Sequence, residues 1–154
     1  MKLPEEDATL FYRLYHSLLY YVNTKYDVAD VASPEEIKEA LRIELKILID
    51  ELYEHPKVIN EFVQENPCNF SSDELQIVKG WNNFVKREFA ILHQLEKYTI
   101  FLDVEKPPKA YGVFGLYSTF EKLVGPLPTM MYAVLLSFKG KIIYDGFFSA
   151  TACH

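Results

Sequence analysis

Residues 7–26, DATLFYRLYHSLLYYVNTKY, place apolar side chains at helical spacing. Leu10, Leu14, Leu18 and Val22 form one row, and Phe11, Tyr15 and Leu19 lie beside it. The period predicts a helix with Asp7 as its N-cap. DVADVAS (27–33) breaks the pattern. A second helix is expected from Ser33, which stands three residues before Glu36 in capping-box spacing, with Pro34 at the first helical position. Its stripe runs Ile37, Leu41, Leu45, Leu48 and Leu52, widened by Ile43, Ile47 and Ile49, and a helix so apolar wants cover on more than one side. His55-Pro56 should end it. A third helix is expected over 56–65. NPCNFSS (66–72) reads as a loop. Ser71 and Glu74 repeat the capping spacing before a fourth helix, whose second half is weakened by Gly80.

From about residue 87 the period changes. EFAILHQ and YTIFLD are short, β-branched and aromatic, with a charged LEK turn between them. KAYGVFGLY (109–117) reads as a third strand, and STFEKLVGP as one helical turn closed by Gly125-Pro126. YAVLLSFKGKIIYDGFF (132–148) holds two apolar runs around Lys139-Gly140, the two centre residues of a hairpin turn. In that register Val134 faces Asp145, and neither face of the ribbon is polar. Such a ribbon needs burial on both faces. Helices first and strands afterwards predict a single α+β domain. It comprises about four helices over 1–86, an antiparallel meander of about five strands over 87–148, and a tail at 149–154.

The hairpin, KYTIFLD and YGVFGLYSTFE together resemble segments of an uncharacterised prokaryotic family with a helical N-terminal part and an LLPFKGKIIYDG-like run. The resemblance covers most of the chain and implies no activity, so no catalytic residue follows from it. Ser137 stands where that pattern has proline, and the chain stops at SATACH where the pattern continues. The partner of the last strand therefore stays open.

Composition narrows the functions. The chain has 154 residues, 49% hydrophobic and 25% charged, with 11 Tyr, 11 Phe and one Trp. Residues 1–88 carry 10 Lys/Arg against 17 Asp/Glu, and residues 89–154 carry 6 against 5. The acidic first part disfavours nucleic acid. KAYGVFGL faintly resembles the aromatic strand of RRM domains: Lys109, Tyr111 and Gly112 fit, whereas Ala110, Val113 and Phe114 do not, and the element order is wrong. No apolar run reaches the ~20 residues of a membrane span. The tyrosines around the first helix (12, 15, 20 and 21) lack a basic face, so packing is preferred to a membrane surface. MKLPEED turns acidic before any apolar run, and Cys68 and Cys153 make no disulfide framework, so a reduced cytoplasmic protein is expected.

The motifs are few. His16, His55, His93, His154 and the two cysteines show no CxxC, HxxxH or HExxH, so no metal is expected. GxSxG, GxGxxG and GxxxxGK are absent, so no cofactor is expected, and Gly112 and Gly115 read as bulges or close-packing positions. Asp145 before Gly146 reads as a strand end or bulge, where the carboxylate reaches solvent or backbone N–H groups; the catalytic alternative gives it a raised pKa. His93 is expected half-buried, on the face of Phe89 and Ile91. The preferred function is a non-enzymatic protein–protein interaction or assembly domain, a homodimer or part of a larger assembly. The alternative is a small-ligand-binding protein or enzyme with an aromatic pocket between helices and sheet. There Tyr144 and Tyr111 would line the pocket, and Asp145 and His93 would be the catalytic candidates.

Overall fold

The first helix, α1 (Glu5–Tyr26), starts two residues before the expected cap. The Pro4 carbonyl accepts from the N–H groups of Asp7 and Ala8, both at 3.0 Å, so Asp7 lies inside the first turn rather than capping it. The computed structural model describes residues 2–105, 107–117 and 120–150. It divides the chain into two compact units: residues 10–82, and residues 1–9 with 83–154.

In the unit of residues 10–82, α1 buries Phe11, Leu14, Tyr15, Leu18, Leu19 and Val22 of its two apolar rows, with Leu10 half-buried. Asn23 ends the helix chemically. Its Oδ1 accepts from the Val28 and Ala29 N–H groups and its Nδ2 donates to the Ala29 carbonyl, all at 2.9 Å, which folds DVAD back on the helix. The expected second helix is two. α2 is only Pro34–Ile37, and the Ser33 side chain makes no capping bond. After Ile37 the chain tightens to short-range bonds (Glu39 N–Glu36 O and Ala40 N–Ile37 O, both 3.1 Å), and Leu41 then extends at φ −63°, ψ 150°. The Glu44 carboxylate accepts from the Leu41 N–H at 3.2 Å and starts α3 (Arg42–Glu54). The stripe from Ile37 to Leu52 is therefore cut in two.

α4 (Lys57–Glu65) follows Pro56, as expected. The loop after it is closed by Asn66, which brackets Phe70 with two hydrogen bonds. α5 (Ser72–Gly80) carries a complete capping box: Glu74 N to Ser71 Oγ at 3.2 Å and Ser71 N to Glu74 Oε1 at 2.9 Å. Glu74 also pairs with Arg13; the Ser71 N–H and this guanidinium hold its carboxyl below the usual range. The helix stops at Gly80 and a 3-10 turn, Trp81–Asn83, buries the tryptophan against Phe11 and Tyr15. Tyr15 and Tyr53 share a hydroxyl hydrogen bond of 3.0 Å inside this core.

In the other unit, β1 (Val85–Gln94), β2 (Thr99–Asp103), β3 (Lys109–Phe114), β4 (Thr129–Phe138) and β5 (Lys141–Tyr144) are ordered β1-β2-β3-β5-β4, and β4 returns to β1. The sheet closes into a small barrel, and it is mixed rather than an antiparallel meander. Parity explains the difference: a closed ring of five strands cannot have every neighbour antiparallel. Among the described strands of the ring, β3 and β5 form the parallel seam, at Val113↔Ile142 and Phe114↔Ile143. α6 (Phe120–Val124) is the expected helical turn between β3 and β4, and Gly125 closes it at φ 84°.

The pairings put Phe89, Ile91, Phe101, Val113, Leu135 and Tyr144 on one face, and all six are buried. Phe120 of α6 meets Phe101 and Tyr144, each with ring centroids 5.0 Å apart. The opposite face of the β4–β5 ribbon is buried as well, at Val134, Leu136, Phe138 and Ile143. The two-sided burial read from the sequence therefore holds for residues 133–136. The residues before α1 join this unit through Leu3 N to Gly115 O at 2.8 Å.

Candidate functional site

The hairpin turn forms where the sequence places it. Phe138 faces Lys141, and Lys139 and Gly140 both have positive φ, 49° and 78°. Lys139 also reaches back to Asp7, Nζ to Oδ1 at 2.7 Å. The register holds through Leu135↔Tyr144, and Asp145 N donates to Val134 O at 3.1 Å. Beyond that point the pairing slips. β6 (Ser149–Ala150) pairs as Tyr132↔Ser149 and Met131↔Ala150, two residues out of phase with β5. These two residues continue the sheet where a tail was expected.

The slip is a bulge over residues 145–148, and Asp145 organises it. Its Oδ1 accepts from the Phe147 N–H at 3.1 Å, and Gly146 takes φ 91°. Asp145 is 3% exposed. Of the alternatives read for Asp-Gly, the structure has the bulge, with the carboxylate on a backbone N–H rather than in solvent. Tyr144, a pocket candidate, stacks on Phe148 at 4.5 Å and meets Phe120 edge-on. Its ring is packed by other rings.

Tyr111 is half-buried, edge-on to Phe89 at 6.1 Å, with Lys109 Nζ 5.3 Å from its ring centre. His93 departs from expectation: it is exposed. The β1–β2 register shifts between Ile91 and Gln94, so strict alternation from Phe89 does not reach it. Of the two readings for Gly112, a bulge or close packing, the structure has close packing. A Cβ built there would lie 2.7 Å from the Tyr98 ring. Cys68 is exposed in its loop. Cys153 and His154 lie outside the described residues.

Two charged clusters escape motif reading. Asp103 is buried; Arg87 Nε approaches its Oδ2 at 3.1 Å and the Glu105 N–H donates to its Oδ1 at 3.0 Å, while Arg87 also pairs with Glu105. Arg87 is shared between the two carboxylates. Glu51, Glu54 and His55 bring three ligand-type atoms within 4.8 Å at the end of α3, and His55 stacks on Tyr26 at 4.6 Å. They are exposed or half-exposed, and such acidic groups are common without an ion.

The largest departure from the sequence expectation lies on α3. Leu41, Ile43 and Ile47, expected to be covered, are 68%, 67% and 42% exposed. Leu48, Ile49, Leu52 and Tyr53 turn inward. Ile43 and Ile47 share their helix row with Asp50 and Glu54, at offsets of four, seven and eleven. That half-polar row is the signal available in the sequence. Sorted by charge, the exposed side has Arg42 and Lys46 at its N-terminal end and Asp50, Glu51 and Glu54 at its C-terminal end; Lys46 and Asp50 pair at 2.9 Å.

Among the described residues no helix is long and apolar enough to cross a membrane. No protein-family model, curated protein or solved structure matches the chain.

Proposed function

We propose that the protein is a non-enzymatic assembly domain that associates with a second copy of itself. The observation that carries this reading is the exposed pair Ile43 and Ile47, one turn apart on α3, with Leu41 exposed just before the helix begins. Isolated surface apolar residues need no explanation, but neighbouring aliphatic chains on one helix end form the kind of patch that marks an interface. The patch is small beside the ~1,200 Å² or more that stable interfaces bury, so the complex belongs to the weak, transient class. The residues first weighed for chemistry support no competing enzyme reading. Asp145 serves a backbone bulge, Tyr144 is enclosed by rings, and His93 is exposed on β1.

Light scattering over a dilution series of the full chain tests the proposal. The mass should rise with concentration from 17.9 kDa toward twice that value. A mass that stays at the monomer value up to the solubility limit would remove the assembly reading.

A further inference from the structure

We infer that the two copies meet through α3 packed antiparallel on α3, about a twofold axis near Ile47; this rests on the assembly reading above. The argument is electrostatic. A helix carries partial positive charge at its N-terminus and partial negative charge at its C-terminus, so acids are favoured at the start and bases at the end. α3 is arranged the other way on its exposed side. Arg42 is its first residue and Lys46 follows one turn later, while its last turn holds no base and carries Glu51 and Glu54. The one acid of its first turn, Glu44, is engaged by the Leu41 N–H.

Both ends thus carry charge of the sign their own dipole disfavours. A second α3 running in the opposite direction corrects both at once. The basic end of each helix then lies over the acidic end of the other, with Ile43 and Ile47 of the two copies meeting between them. The contact is isologous: a single patch complements itself, as twofold symmetry requires. A parallel arrangement would instead set Arg42 on Arg42 and Glu54 on Glu54, which like-charge repulsion disfavours. Lys46 pairs with Asp50 and Glu51 lies 3.8 Å from His55 Nε2, so Glu54 is the acid that faces the incoming basic end.

The test is a charge-reversal cycle read by sedimentation. Arg42→Glu and Glu54→Arg should each weaken the dimer about threefold to tenfold, counting two symmetry-related pairs. The double reversal should return most of the loss. Each reversal also suits the helix's own dipole better, so a purely structural role would not lower dimerisation while leaving the fold intact. A second arm places Ile47→Cys in a Cys68→Ser, Cys153→Ser background, where oxidation should link two chains at the axis. If the wild type dimerises but the reversals leave the constant unchanged and the Ile47→Cys variant does not cross-link, the α3 geometry is wrong and the assembly reading survives. If the wild type is a monomer throughout, both fail.

Discussion

Asp145 and Val134 stay paired across β5 and β4, N to O at 3.1 Å, at the last position before the register slips by two residues. The carboxylate then turns to the Phe147 N–H. Asp145→Ala should therefore destabilise the protein by about 1–3 kcal/mol through a lost acceptor for a part-buried N–H. Asp145→Asn keeps a carbonyl oxygen there and should cost less than about 1 kcal/mol. Urea unfolding of both variants checks this; equal losses would show that charge, not the hydrogen bond, holds the bulge.

Gly112 lies beneath the Tyr98 ring, and any Cβ meets it at 2.7 Å. Gly112→Ala is expected to lower stability by about 1–3 kcal/mol. In a Tyr98→Ala background the same change should cost much less, because the obstruction is gone. An additive double-mutant cycle would contradict the contact.

Lys139 holds a left-handed turn conformation that asparagine tolerates and β-branched residues resist. Lys139→Val should cost roughly 1–2 kcal/mol, and Lys139→Asn should remain within about 0.5 kcal/mol of wild type despite losing the exposed ion pair with Asp7. Thermal denaturation of the pair decides whether backbone strain or the ion pair dominates.

His16 is held neutral: burial first, and the Lys38 charge second, lower its pKa to about 4 from 6.5. The unfolded chain therefore binds the proton more readily, and stability falls as pH drops from 6.5 through 4. The loss at about pH 4 should be on the order of 1–3 kcal/mol, less than the full shift because the imidazole is only partly shielded. His16→Gln should flatten this part of the stability–pH curve; an unchanged slope would assign acid sensitivity elsewhere.

Much of this architecture is legible in the chain, and the exceptions have physical causes. The Ser71–Glu74 box and the Lys139-Gly140 turn are local, so spacing alone locates them. The Ser33–Glu36 box has the same spacing but makes no side-chain bond: the Glu36 N–H goes instead to the Ser33 carbonyl at 3.1 Å. The parallel seam depends on closure of the ring, which no short window contains. Strict alternation misplaces His93 because one register shift interrupts it. The role of Asp145 is readable from the Asp-Gly pair; the two-residue slip that makes it necessary is not.

Sedimentation equilibrium of the wild type beside an Ile43→Glu, Ile47→Glu variant tests the central claim most directly. Both side chains are exposed, so the variant should keep its circular dichroism and melting behaviour while losing self-association, with the wild type alone moving from 17.9 kDa toward a dimer. Identical mass curves for the two proteins, whether both monomeric or both dimeric, would contradict the assignment of α3 as the surface that joins the copies.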